Sequence, residues 1–252
     1  MCRHLGYLGR PVPLSALLFD PPHSLERQSY APSDMRRGGT VNADGYGVGW
    51  AAEDGQVARY RRAGAIWADE NLASLGRVVR SGAVLAAVRS ATVGMPVVET
   101  ACAPFSGDGW LFSHNGKVPE WSKSLAQLAS GLPVERLLTL DAPTDSALLW
   151  ALVQDRLRSG AGAEEAVVSV LREVDAAAPG SRLNLLLLGH GVVVGTTWTH
   201  SLWFRRDEGG VLVASEPLDT GDGWREAPDR SVVVASESAS ESTVDVRAIG
   251  RR

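Results

Sequence analysis

Directly behind Met1 stands Cys2. Trimming of Met1, expected before a small side chain, would leave this thiol on a residue that carries its own base. A free α-amine has a reference pKa of roughly 7.7–8.0, well matched to neutral pH. One residue would then supply both nucleophile and proton acceptor, and acyl transfer would run through a thioester. The competing reading is a frayed terminus. Against it, the strand-like Leu5-Gly6-Tyr7-Leu8 follows at once and would anchor the start of the chain in a sheet.

Attack by a thiolate places negative charge on the carbonyl oxygen, which calls for donors aimed at that oxygen. His114-Asn115-Gly116 ends the apolar run 110–112 and offers them: a side-chain amide from Asn115 and an unobstructed backbone N–H from Gly116. The same Asn-Gly pair also suits a plain hairpin turn. With the amine as base, His114 is left a structural or substrate-binding role.

The run 84–88 leads into Arg89-Ser90-Ala91-Thr92. A guanidinium there could fork onto a ligand carboxylate, with the Thr92 hydroxyl adding a bond, or it could pair with a carboxylate of the protein. Thr144-Asp145-Ser146 opens a helix, where an acidic residue serves capping and the helix dipole. The functional alternative is that Asp145 neutralises a substrate ammonium. Together, Arg89 and Asp145 would hold an amino acid by both charged ends and leave its side chain directed at Cys2.

These residues need a rigid frame, and the hydrophobic pattern supplies one. β-like runs cover 2–8, 46–52, 84–90 and 110–114, and then 183–188, 192–197, 202–206, 211–215 and 231–235. Between them Leu148, Leu149, Leu152, Val153 and Leu157 make one helical stripe, and Ala166, Val167, Val170, Leu171 and Val174 a second. Closely spaced turns predict antiparallel hairpins, and runs apolar on both faces predict strands buried between layers. The expected fold is α+β, a helix–sheet–sheet–helix sandwich in a single domain over 1–252. Its end, 236–252, is expected to be loosely held. Gly45, Gly47 and Gly49 alternate along one run, predicting a flat strand face that another backbone can approach.

Composition excludes several classes. A 252-residue chain can bury a sizeable core, and 44% hydrophobic residues with a net charge of -4 describe an ordinary folded protein with no expected nucleic-acid or membrane partner. Two cysteines a hundred positions apart form neither a disulfide framework nor a metal site, and no cofactor is expected. With no signal segment and no apolar run near the ~20 residues of a membrane helix, a cytoplasmic location is expected.

Taken in order, Cys2, Asn42-Ala-Asp-Gly-Tyr-Gly-Val-Gly-Trp50, Arg89-Ser-Ala-Thr92, Pro104-Phe105, His114-Asn-Gly116, Thr144-Asp-Ser146 and Ala214-Ser-Glu-Pro217 resemble the class II glutamine amidotransferases. That resemblance implies an N-terminal-nucleophile hydrolase with an αββα sandwich. It implies Cys2 as nucleophile, Asn115 and Gly116 as oxyanion hole, and Arg89 with Asp145 as the clamp on a glutamyl group. One segment departs from the pattern: Ala101-Cys-Ala-Pro-Phe105 lacks the Asn and His that relatives often carry, and Cys102 reads as a packed small residue.

The glutaminase-like fold accounts for nearly all of the chain, leaving no synthase domain to receive ammonia. Outright hydrolysis of a γ-glutamyl amide is therefore expected, as in the γ-glutamyl amidohydrolases of ergothioneine biosynthesis, which act on γ-glutamyl-hercynylcysteine sulfoxide. Enzymes of glutathione-conjugate breakdown are the neighbouring possibility. A cationic hercynyl leaving group would favour an aromatic or acidic wall. The alternatives are a glutaminase subunit feeding a separate synthase and a catalytically silent binding module.

Overall fold

The computed structural model describes residues 2–36, 41–52, 55–237 and 242–250. The first half of the chain contributes strands β1 (Arg3–Pro13), β2 (Gly45–Ala51), β3 (Val57–Arg62), β4 (Arg80–Arg89), β5 (Phe105–Gly107) and β6 (Trp110–Lys117). The second half contributes β7 (Arg182–Gly189), β8 (Val192–Thr197), β9 (Trp203–Asp207), β10 (Gly210–Ala214), β11 (Arg225–Glu226), β12 (Ser231–Glu237) and β13 (Ser242–Ala248). The helices are α1 (Ser15–Leu18), α2 (Leu25–Tyr30), α3 (Glu70–Val78), α4 (Ala126–Ala129), α5 (Val134–Leu138), α6 (Asp145–Arg158) and α7 (Ala163–Ala177).

Two antiparallel sheets result, in the orders β11-β9-β10-β1-β4-β2-β3 and β13-β12-β8-β7-β6-β5. Side-chain alternation divides the interior into three cores. Leu8, Leu85, Leu111, Leu186, Val193 and Val213 meet between the sheets. Leu5, Val48, Val84, Ala86 and Val88 face the other way, onto Leu17 and Leu18 of α1, Leu25 of α2 and Leu72 of α3. Leu183, Leu185 and Leu187 face the stripes of α6 and α7. The all-apolar run 183–188 is thus explained: successive leucines fill two different cores, as a strand between layers requires. The architecture is the αββα sandwich that the pattern predicted.

The glycine face of β2 meets a backbone. A Cβ on Gly47 would lie 2.4 Å from the Ala103 carbonyl oxygen, and one on Gly49 would lie 2.6 Å from Cδ2 of Leu111 and 2.9 Å from Cγ of Pro104. At Gly45 the obstacle is Cys102 Sγ, 2.3 Å away. Cys102 is fully buried, its thiol directed at the carbonyls of Arg62 and Val98, and burial pushes its pKa up. It packs and is poorly suited to act as a nucleophile.

The pattern missed the short helices α1 to α5 and the edge strands β3, β5, β11 and β13. Residues expected to form a loose tail instead supply β13, paired with β12 from Ser231↔Ala248 to Glu237↔Ser242. The remainder of that segment, 238–241 and 251–252, lies outside the described residues.

Candidate active site

Cys2 sits at the head of β1, and its placement rests on Arg3. That side chain is 2% exposed, donates from Nε to Glu216 Oε1 at 2.7 Å and reaches back from Nη1 to the Cys2 carbonyl at 3.1 Å. Glu216 also accepts from His23 Nε2 and from the Ser33 backbone N–H, each at 2.7 Å. Burial alone would raise the Glu216 pKa. The His23 hydrogen bond, the Arg3 charge and backbone donors from Ser33 and Asp34 outweigh burial and hold it below the usual value. The Cys2 thiol itself is half-buried and directed at the Ser90 carbonyl at 3.8 Å.

Two cavities meet at Cys2. One, of about 30 Å³, is bordered by Cys2, Arg89, Ala103, Ser113, His114 and Ser146. The other, of about 240 Å³, is bordered by Cys2, Thr92, Asn115, Gly116, Lys117, Arg182 and His200 among others. Arg89, at the end of β4, donates to the Pro96 carbonyl at 2.9 Å and pairs with no acidic side chain among the described residues. Asp44 fixes the segment that follows, accepting from the Ala91 N–H at 2.7 Å while its own N–H bonds the Arg89 carbonyl at 3.0 Å.

Asn115 and Gly116 lie on β6, opposite Asn184 and Leu183 of β7. The Asn115 side chain has no protein partner among the described residues, and its Oδ1 is fully buried. Gly116 tolerates nothing larger, since an added Cβ would lie 1.8 Å from the Arg182 carbonyl oxygen. That carbonyl also takes the 2.8 Å bond to His114 Nε2, and His114 Nδ1 lies 3.0 Å from Ser146 Oγ. Both ring nitrogens are occupied. His114 therefore borders the cavity as a brace between α6 and β7, with no nitrogen free for a substrate.

Asp145 opens α6, as expected. Thr144 is the N-cap of α6, accepting from the Ala147 N–H, and Asp145 is the first helical residue. Its Oδ2 accepts from the Val118 N–H at 3.0 Å and its Oδ1 from the Ser146 N–H at 2.7 Å. It is buried, and Ser146, not Asp145, borders the cavity. Of the expected aromatic or acidic wall, Tyr46 and Phe105 border the smaller cavity, but among the described residues no Trp and no carboxylate borders either one.

A model of class II glutamine amidotransferases matches residues 28–205. The chain belongs to this family. Among class II glutamine amidotransferases it is 40% identical, over 100% of both chains, to a γ-glutamyl-hercynylcysteine sulfoxide hydrolase of Mycobacterium tuberculosis. A protein of the same name from Mycolicibacterium smegmatis is 40% identical over 92% of this chain and 95% of its own. Of solved structures, a glutamine aminotransferase class-II domain protein from Silicibacter pomeroyi superposes with TM-score 0.67 at 23% identity, covering 98% of this chain and 100% of that one. A glutamine PRPP amidotransferase from B. subtilis gives 0.67 at 13% identity, covering this whole chain and 50% of that one. At these identities the structures support the fold. No helix among the described residues is long and apolar enough to cross a membrane.

Asp44, Ser146 and Glu216 lie inside motifs quoted from the sequence, yet neither they nor His200 could be given a role there. His4 and His200 are buried, and burial first, then neighbouring positive charge, pushes each down to about 3. A histidine kept neutral in the folded state lends stability that is whole above the unfolded pKa of about 6.5 and is lost as pH falls from there. Melting temperature should therefore drop steeply from pH 7 to pH 4, and less steeply in His200→Gln. Identical slopes would remove His200 from that account.

Proposed function

We propose that this protein hydrolyses γ-glutamyl-hercynylcysteine sulfoxide to glutamate and hercynylcysteine sulfoxide, with Cys2 as nucleophile once Met1 is removed. The observation that carries the proposal is the position of Cys2 between two cavities, one bordered by Arg89, the other by Asn115 and Gly116. Full-length identity of 40% to hydrolases of that name supports the choice of substrate. A thiol nucleophile that must stay reduced fits a cytoplasmic location.

The Cys2 amine takes the thiol proton, and the thiolate attacks the γ-carbonyl. Asn115 Nδ2 and the Gly116 N–H hold the oxyanion. The ammonium of Cys2 then protonates the departing amine, leaving a γ-glutamyl thioester. Water, deprotonated by the same amine, attacks the thioester, and glutamate leaves. Arg89 receives the glutamyl α-carboxylate, whereas Thr92, expected to add a hydroxyl bond there, borders the other cavity. Asp145 serves the α-ammonium either with an oxygen lone pair left over from its three internal bonds or through Ser146. The Arg89 cavity, at about 30 Å³, is smaller than a glutamyl chain, so binding must widen it.

Incubation with γ-glutamyl-hercynylcysteine sulfoxide should release glutamate, and a glutamine-like diazoketone should add mass to a Cys2 peptide lacking Met1. Efficient turnover of glutamine alone would instead favour a glutaminase that feeds a separate synthase. Asn115→Ala should lower kcat by about 10²–10³. A rate near that of the wild type would take Asn115 out of the oxyanion hole. Arg89→Ala should raise KM for every γ-glutamyl substrate, because the guanidinium has no competing carboxylate among the described residues, and an unchanged KM would dissolve the clamp.

A further inference from the structure

The larger cavity at Cys2 carries a charge pattern that the glutamyl chemistry does not use. Lys117 and Arg182 face each other as a register pair at the ends of β6 and β7, and both border this cavity. Paired residues of an antiparallel ladder project to the same side of the sheet. Among the described residues neither side chain makes a hydrogen bond or ion pair, and no carboxylate borders the cavity. Further in, His200 is 2% exposed with both ring nitrogens unpartnered. The field of Arg182 is felt at its ring. Unpaired cations beside a buried imidazole with unused hydrogen-bonding capacity mark a binding surface, since a buried polar group without a partner costs free energy until a ligand supplies one.

We propose that Lys117 and Arg182 form the subsite for the leaving amine and that they read a carboxylate on it. The reasoning rests on the γ-glutamyl hydrolase reading above. With the scissile carbon at Cys2 and the glutamyl head toward Arg89, the amine must leave through the second cavity. When that amine belongs to an α-amino acid, its carboxylate lies two bonds from the amide nitrogen, next to the cleavage point. Two free cations fit that anion, with Arg182 able to engage it through two parallel N–H donors. Ammonia, the product of glutamine hydrolysis, offers them nothing. The subsite therefore selects γ-glutamyl amino acids over glutamine and over simple γ-glutamyl alkylamides. The trimethylammonium of a hercynyl group is repelled from this wall and must extend past it.

The test compares two amides that differ only in that carboxylate, γ-glutamyl-S-methylcysteine and γ-glutamyl-S-methylcysteamine, on the full-length protein. Wild type should prefer the first by about 10- to 100-fold in kcat/KM, the range expected for hydrogen bonds to a charged group. The preference should collapse toward one in Lys117→Gln/Arg182→Gln, chiefly through KM, and Lys117→Arg should keep it. Because the Arg182 carbonyl, not its side chain, receives His114, the substitution leaves that brace in place. Equal turnover of both amides by wild type overturns the subsite alone, as does a double variant that loses rate equally on both. No turnover of either amide sinks the hydrolase reading and the subsite with it.

Discussion

Cys2→Ala eliminates glutamate release, lowering kcat by a factor on the order of 10⁵–10⁶, the scale seen when a covalent nucleophile is removed. Binding survives, because the groups proposed to hold the glutamyl head, Arg89 and Asp145, belong to other elements. The fold survives as well: the thiol makes one long contact, to the Ser90 carbonyl at 3.8 Å, and deleting it should alter stability by less than about 0.5 kcal/mol. Calorimetric titration of Cys2→Ala with intact substrate, beside a rate assay, separates these effects. Retained turnover would mean that another group attacks the carbonyl, and lost binding would mean that the cysteine helps to shape the pocket.

A second large effect is expected from Glu216→Ala, far from Cys2 in sequence. The Arg3–Glu216 pair has both side chains 2% exposed, so removing the carboxylate strands a buried guanidinium. Breaking such a pair typically costs about 3–5 kcal/mol, a large share of a domain's stability. Urea unfolding should record that loss. Replacing both partners, as in Arg3→Met/Glu216→Leu, should recover much of the stability without recovering kcat, because the Cys2 carbonyl would still lack its Arg3 donor. Full recovery of both would confine the pair to a structural role. The depressed Glu216 pKa adds a sign: its contribution is complete above the ordinary carboxylate range and fades as pH falls through the lower folded value, so the variant should lose less stability than wild type in acid.

Local chemistry made part of this site legible. Asn115 and Gly116 stood out because oxyanion donors have few possible sources, and Arg89 because a cation at the end of an apolar strand calls for a partner. The stripes of α6 and α7 were long enough to show a 3.6 period, whereas α1 spans four residues and gives none. What stayed hidden depends on contacts between distant positions. Glu216 gains its meaning from Arg3, 213 residues away, and His114 from a carbonyl 68 residues on. Asp145 was identified correctly as a helix opener, but only the fold shows that its oxygens serve Val118 and Ser146 and that Ser146 borders the cavity. No periodicity encodes such pairings.

The bare face of β2 bears on how this site can vary. At Gly47 the strand touches a main-chain oxygen, that of Ala103, whereas Gly49 meets the side chains of Leu111 and Pro104 and Gly45 the Cys102 thiol, which leaves no room there for anything but hydrogen. The contact at Gly47 senses the path of the loop and is blind to the side chain at position 103. Ala103 also borders the Arg89 cavity, so a change there alters the wall beside Cys2 without disturbing β2. Variation in that wall is held to its course through space, and its chemistry can drift.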